Sequence, residues 1–243
     1  MSEHFLVFDI ETAALPYDSF SESQQEYLVR GAQTDEERKK KIDEMALTPL
    51  TSQVVCIGMK RVRFASETEA ETDTIALCTD PTAMPGETRS ETLSDGHKAV
   101  FGSERHVVET FWQILKKYDP IHLISFNGRN FDAPFLMLRS AVLGARPSKN
   151  IMSGTKFNYP LHTDLIDELT FYSGSGYGAT KRFNFDFYTR AFGLVSPKSE
   201  GVDGSMVSDY FRQGRVNEIA EYCLRDVNAT WELYLLWRKY LKF

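Results

Sequence analysis

Phe5-Leu6-Val7-Phe8-Asp9-Ile10 opens the chain with a nearly unbroken apolar run, the pattern of a strand covered on both faces. A long polar stretch follows. Within it Ser21 to Arg30, closed by Gly31, reads as a helix. Thr34-Asp35-Glu36-Glu37 has the spacing of a capping box and opens a second helix running to about Leu47, before Pro49. Val54 to Phe64 and Thr74 to Thr79 read as strands, joined by an acidic turn from Ser66 to Asp73. Residues 79–96, with two prolines and several Ser, Thr and Gly, read as a surface loop, and His97 to Phe101 as one more edge strand.

Ser103 to Tyr118 carries Val107, Val108, Phe111, Trp112 and Leu115 at helical spacing. Ile121 to Phe126 is the next buried strand, Phe131 to Leu143 a helix, and Leu161 to Leu165 a short strand. Arg182 to Phe192 and Gly204 to Phe211 read as short helices, and an amphipathic helix closes the chain from Val216 to about Tyr240. No internal repeat or Gly-, Ser- or Pro-rich linker divides the sequence. This order predicts one α/β domain over residues 1–243, a mixed central sheet flanked by helices, with a helical insertion at about residues 12–52.

Composition narrows the function classes. With 243 residues, 42% hydrophobic and 26% charged, the chain is expected to fold as an ordinary globular protein, which excludes disorder and collagen. No run approaches the ~18 apolar residues needed to cross a bilayer, so no membrane partner is expected. Met1-Ser2-Glu3-His4 has no basic segment leading into an apolar one, so no export signal is read there. Cys56, Cys78 and Cys223 lie far apart without paired spacing; they suit a reducing cytoplasm and neither a disulfide framework nor a zinc knuckle. The formal net charge of −6 at first weighs against a polyanionic partner.

Three carboxylate settings carry candidate chemistry. Side chains two apart on a strand share a face, so Asp9 and Glu11 project together from the end of a buried strand. Two buried, unpaired carboxylates cost several kcal/mol, and a cation of charge two or more would compensate them. Asp35 and Glu37 have the same spacing, but on a solvated helix start among Arg38, Lys39, Lys40 and Lys41. In the second setting, Asn127-Gly128-Arg129-Asn130-Phe131-Asp132 places an Asp before Ala133-Pro134, which by itself reads first as a helix cap. One oxygen could cap while the other faces a site. Third, Tyr222 and Asp226 stand four apart and share a helix face, beside an apolar stripe of Ile219, Cys223, Val227 and Trp231.

Asp9-x-Glu11, Asn127-x-x-x-Phe131-Asp132 and Tyr222-x-x-x-Asp226, in this order, resemble the three motifs of the DEDD, or DnaQ-like, 3′–5′ exonucleases, whose fold is RNase H-like. Tyrosine before the last Asp matches the DEDDy branch; the position five before it, where the histidine branch has its residue, holds Glu221. The chain is similar to stand-alone exonucleases related to the proofreading domain of family B DNA polymerases. That similarity extends into Phe183 to Pro197 and Asp203 to Val207, and is weakest at residues 12–52 and 64–103.

The resemblance implies two divalent ions, Mg²⁺ or Mn²⁺, held by Asp9, Glu11, Asp132 and Asp226, with Tyr222 orienting the attacking water. It implies substrate contacts at Thr12, Leu15 and Asn127, although Leu15 reads equally as a loop residue packing on the domain. The implied substrate is the 3′ end of single-stranded nucleic acid, DNA in preference to RNA, with 5′-mononucleotides as products. An RNA-directed exoribonuclease and a catalytically inactive nucleic-acid-binding module stay open as alternatives, as does a polymerase or repair partner. Gly174-Ser175-Gly176-Tyr177-Gly178 lacks the ending of a phosphate-binding P-loop and reads as a flexible loop, with Lys181 and Arg182 able to touch a nucleic-acid backbone. His162-Thr163-Asp164 ends a strand, leaving Asp164 supporting the site or merely structural.

Overall fold

The computed structural model describes residues 4–64, 70–196 and 204–242. Its strands are β1 (His4–Ala14), β2 (Ser52–Phe64), β3 (Ala70–Thr79), β4 (Thr88–Thr92), β5 (Lys98–Gly102), β6 (Ile121–Ser125) and β7 (His162–Asp164). They form one mixed sheet in the order β4-β5-β3-β2-β1-β6-β7. The pairs β1/β2, β2/β3 and β4/β5 are antiparallel, while β3/β5, β1/β6 and β6/β7 are parallel. The helices are α1 (Glu22–Leu28), α2 (Asp35–Asp43), α3 (Glu104–Lys117), α4 (Asp132–Val142), α5 (Leu165–Leu169), α6 (Phe185–Ala191), α7 (Val207–Arg212) and α8 (Val216–Tyr240). Among the described residues no helix is long and apolar enough to cross a membrane.

The period-two pattern of β1 explains its double cover. Leu6, Phe8 and Ile10 pack with Val107, Val108, Phe111, Trp112 and Leu115 of α3 and with Ala133, Phe135 and Leu136 of α4. The alternate residues Phe5 and Val7 pack with Val227, Trp231 and Tyr234 of α8 on the other face. Each such side chain contributes roughly 1.5–3 kcal/mol on burial. Helices α3 and α4 are locked by Trp112 Nε1 donating to Ser140 Oγ at 2.8 Å and by a buried fork between Arg139 and Glu104 at 2.7 and 2.8 Å. Glu104 Oε1 also accepts from Val54 N at 2.8 Å, which ties the pair to β2.

Several elements match the pattern reading closely. Helix α8 has the expected limits, and the capping box of α2 forms, with Glu37 N donating to Thr34 Oγ1 at 3.2 Å. Between β1 and β2 lie α1, α2 and two 3₁₀ turns, although β1 continues to Ala14 because Ala13 and Ala14 still pair with Gln53 and Ser52. Four expectations are corrected. Residues 79–96 are not all loop: β4, Thr-Arg-Ser-Glu-Thr, is an exposed outer strand with no apolar alternation to announce it. Consequently β5 is not an edge strand, since β4 covers it. Leu165 opens α5 instead of ending a strand, because the Asp164 carboxylate accepts from Ile166 N and caps that helix. The helix expected from Arg182 starts at Phe185, capped by Asn184. Part of the expected Ser66 to Asp73 turn, together with Pro197 and Asp203, lies outside the described residues.

Candidate active site

Asp9 and Glu11 share the parity of Phe5 and Val7, so they face α8 from the middle of β1. Just past Glu11 the register with β2 jumps: Glu11 opposes Cys56, but Thr12 opposes Val54. Bulges of this kind bend a strand and re-aim its side chains. Opposite Asp9 stands Gly58, where a Cβ would come within 2.8 Å of Cys223 Sγ and 3.0 Å of a Val227 methyl. The absent side chain lets α8 approach the sheet closely enough for its own polar groups to reach β1.

The second group arrives through β6. This strand pairs with β1 only from His4 to Val7, so the later backbone of β1 has lost that neighbour. Asp132 Oδ1 fills the gap, accepting from Ile10 N at 2.9 Å. The capping expectation for Asp132 is thereby corrected: Phe131 is the N-cap of α4 without a side-chain bond, and the Asp132 carboxylate serves β1. The turn before it is tight. Asn127 has φ 65°, and a Cβ at Gly128 would collide with Ser125. Asp164, fully buried at the end of β7, holds this turn by accepting from Asn127 N at 2.7 Å and Arg129 N at 2.8 Å.

The third group comes from α8. Tyr222 is 6% exposed, and a hydrogen bond joins it to Asp226 one turn on. Between them Cys223 Sγ lies 3.5 Å from the Asp9 carbonyl oxygen and 3.6 Å from its carboxylate. Ligand atoms of Asp9, Glu11 and Cys223 all lie within 4.8 Å of one another.

Convergence of like charges out of water has the expected electrostatic result. Burial first, then the charges of Asp132, Asp226 and Glu11 together with Cys223, holds the Asp9 carboxyl well above the usual carboxylate range. Glu11 is raised by burial and by Asp226 and Asp132. Burial pushes Asp132 up to about 7 although hydrogen bonds from Ile10 N and from its own backbone N–H pull the other way. Tyr222 is raised by burial and by Asp226, Glu11 and Asp9, so it keeps its proton at neutral pH. The buried Cys223 thiol is also pushed up, which leaves carboxylate oxygens as the anionic donors. Such a donor set could hold hard divalent cations and is poorly suited to soft ones.

Asp9 and Glu11 of β1 thus stand with Cys223 of α8, Asp132 of α4 reaches the same strand through Ile10 N, and the charge of Asp226 on α8 acts on Asp9, Glu11 and Tyr222. The three residues read as substrate contacts make bonds within the protein. Thr12 Oγ1 donates to Ala46 O at 2.7 Å, Leu15 N donates to Thr51 O at 2.9 Å, and Asn127 Oδ1 accepts from Asn130 at 2.9 Å. Sequence reasoning missed Gly58, whose requirement shows only when α8 is in place, and Cys223, which it read as part of the apolar stripe. It noticed Asp164 but not its hold on the Asn127 turn.

Comparisons with known proteins bear on the family and the fold. A family model described as a predicted 3′–5′ exonuclease related to the exonuclease domain of PolB matches residues 74–241. The match begins beyond β1, so the place of Asp9 and Glu11 rests on the structure. A DNA polymerase of Thermococcus litoralis is 43% identical over 152 residues, covering 55% of this chain and 8% of that protein. DNA polymerase 1 of Pyrococcus abyssi is 24% identical over 150 residues, covering 55% of this chain and 18% of the relative. The chain therefore spans a small fraction of these relatives' length. The family B DNA polymerase of Pyrobaculum calidifontis superposes with a TM-score of 0.56 over 97% of this chain and 24% of its own, at 19% identity. That likeness speaks to the fold, and the expected RNase H-like mixed sheet flanked by helices is borne out.

Proposed function

Because the chain belongs to the family of predicted 3′–5′ exonucleases related to the exonuclease domain of PolB, we propose that it removes 5′-mononucleotides from the 3′ end of single-stranded nucleic acid in a metal-dependent reaction. The observation that supports this reading is that four carboxylates on three elements distant in sequence, Asp9, Glu11, Asp132 and Asp226, lie near enough for the charges of Asp132 and Asp226 to raise Asp9 and Glu11. DNA is the favoured substrate, supported by relatives named as DNA polymerases. The whole chain acts as one exonuclease domain, and its three free buried thiols suit a reducing, cytoplasmic setting.

Those four carboxylates would hold two divalent ions, Mg²⁺ or Mn²⁺, which when bound would supply water activation and charge neutralisation at the leaving oxygen. The protein's own groups do the rest. Asp132 has one oxygen committed to Ile10 N, so its other oxygen is the one offered to the site. Tyr222, protonated at neutral pH, orients the attacking water by hydrogen bonding and does not serve as its base. Gly58 and the bulge after Glu11 keep α8 and β1 in close register, which sets the spacing between Asp226 and the Asp9–Glu11 pair.

Oligonucleotides labelled at either end, with Mn²⁺ titrated in, test the reading. Stepwise shortening from the 3′ end is expected, lost by at least about 10³-fold in Asp9→Ala and reduced about 10- to 100-fold in Tyr222→Phe. Internal cuts would identify an endonuclease, and binding without cleavage an inactive module. Full activity of purified Asp9→Ala would remove the assignment.

A further inference from the structure

A cavity of about 380 Å³ opens beside the turn that carries Asp132, and nothing in the hydrolytic reading uses it. Its walls include Arg129, Lys156, Tyr159, Asp167, Tyr172 and Arg182. Its volume falls in the range that accepts one nucleotide-sized ligand. Three cations face one carboxylate there, a local reversal of sign in a chain of net charge −6. That carboxylate, Asp167, is already engaged, accepting from Arg182 at 2.5 Å and from the Tyr159 hydroxyl at 3.1 Å. The Arg129 guanidinium lies 4.1 Å from the centre of the Tyr159 ring, and Tyr159 and Tyr172 meet edge to face at 6.0 Å.

The backbone around the cavity is shaped at some cost. Phe171 and Tyr172 are consecutive residues in the left-handed region, with φ of 50° and 57°. Each costs about 1–2 kcal/mol for a residue with a side chain. The result places Tyr172 on the cavity wall and leaves Phe171 63% exposed. Phe157, the chain neighbour of Lys156, is 65% exposed, and Tyr177, between wall residues Gly174 and Arg182, is 84% exposed. Folding gains little from rings held in water; a single-stranded nucleic acid gains a great deal from them, since every base has a face to stack. The glycine loop also acquires a reason: a Cβ at Gly174 would collide with the Arg182 side chain, so glycine lets Arg182 pass along the wall.

We propose that this cavity is a binding subsite for the single strand on the 5′ side of the terminal nucleotide. Arg129, Lys156 and Arg182 contact its backbone phosphates, and Phe157, Phe171 and Tyr177 stack on its bases. The identity of the ligand rests on the exonuclease reading; the binding site itself is tested without cleavage.

Fluorescein-labelled dT10 is titrated in EDTA with anisotropy as the readout, over a series of salt concentrations. Lys156→Glu, an exposed position, should weaken binding about tenfold and lower the salt slope by about 0.7, the loss of one phosphate contact on a single strand. Lys156→Glu/Arg182→Gln should lower both further. Phe171→Ala should weaken binding with the salt slope unchanged, because stacking releases no counterions. Should the Arg182 change unfold the protein, as circular dichroism would show, Lys156→Glu and Phe171→Ala still decide the matter. Affinity within twofold of wild type in both single variants would overturn the subsite. Failure of the wild-type protein to shorten 3′ ends with Mn²⁺ would instead overturn the exonuclease reading, leaving the binding result to stand for a nucleic-acid-binding surface.

Discussion

Asp132→Asn removes one charge from the carboxylate cluster while keeping its shape. Asp132 is 3% exposed, and its carboxyl is raised from 3.8 to about 7. Between those two pH values the folded protein holds a proton that the unfolded chain has already released. Stability must therefore fall as pH rises: the contribution is whole below about 4 and lost once the pH passes about 7. A little over three pH units at 1.36 kcal/mol each gives about 4 kcal/mol as the size of the loss. Asparagine keeps an oxygen to accept from Ile10 N and carries no charge at any pH. It also relieves Asp9 and Glu11, which the Asp132 charge helps to raise. Urea unfolding in EDTA should find the two proteins similar near pH 4 and the variant more stable at pH 8 by about 2–4 kcal/mol, a midpoint shift on the order of 1 M. Added Mn²⁺ should reverse the order at pH 8, because wild type binds the ion to its folded state more tightly than the variant does. A variant equal to or weaker than wild type at pH 8 in EDTA would refute the electrostatic picture of the site.

Gly58→Ala should cost about 1–3 kcal/mol by forcing a methyl against Cys223 Sγ and Val227, and should lower exonuclease rate as α8 moves away; adding Cys223→Ala should recover part of both, read by thermal melts and a labelled-primer assay. Arg139→Met leaves Glu104 buried without its partner and should cost about 3–5 kcal/mol in urea unfolding, with Arg139→Met/Glu104→Gln losing less. Digestion of a long labelled strand in the presence of excess unlabelled trap should stop after one or a few residues, since grip on the strand is local; unbroken digestion to short products under those conditions would contradict this.

The parts of the fold that announce themselves do so through periodicity backed by burial. Strand β1 and helix α8 bury long apolar patterns; the limits of α8 follow from its pattern, while β1 runs on to Ala14 through its pairing with β2. Strand β4 does not: Thr88 to Thr92 is exposed and polar, and it is a strand only because the outer side of β5 offers it backbone partners. The candidate carboxylates Asp9, Glu11 and Asp226 were legible because strand parity and helix spacing are local rules. What those rules cannot show is contact at long range. The three cysteines, far apart in sequence, meet behind the site: Cys56 opposes Cys78 across β2 and β3 with sulfurs 3.8 Å apart, and Cys223 lies against Asp9. Likewise, the cap expected of Asp132 is a fair local reading that loses to a distant one, because Ile10 N has no neighbouring strand to take it.

Net charge misleads here because the protein keeps its two kinds of charge in separate places. Asp9 and Glu11 on β1 feel the charges of Asp132 and Asp226, and two divalent ions held by these acids would bring −6 to about −2. The cations that matter for a strand lie one turn away, on Arg129 and around its cavity. Each field suits a different part of one substrate. The reacting phosphate needs metal, which carboxylates hold best. The phosphates beside it need Lys and Arg, which would compete with metal if they stood among the acids. Asp164 joins the two, since the loop it grips through Asn127 N and Arg129 N carries Asp132 to one side and the Arg129 guanidinium to the other. A change at Asp164 would therefore loosen metal and strand together, which neither site's own residues can do alone.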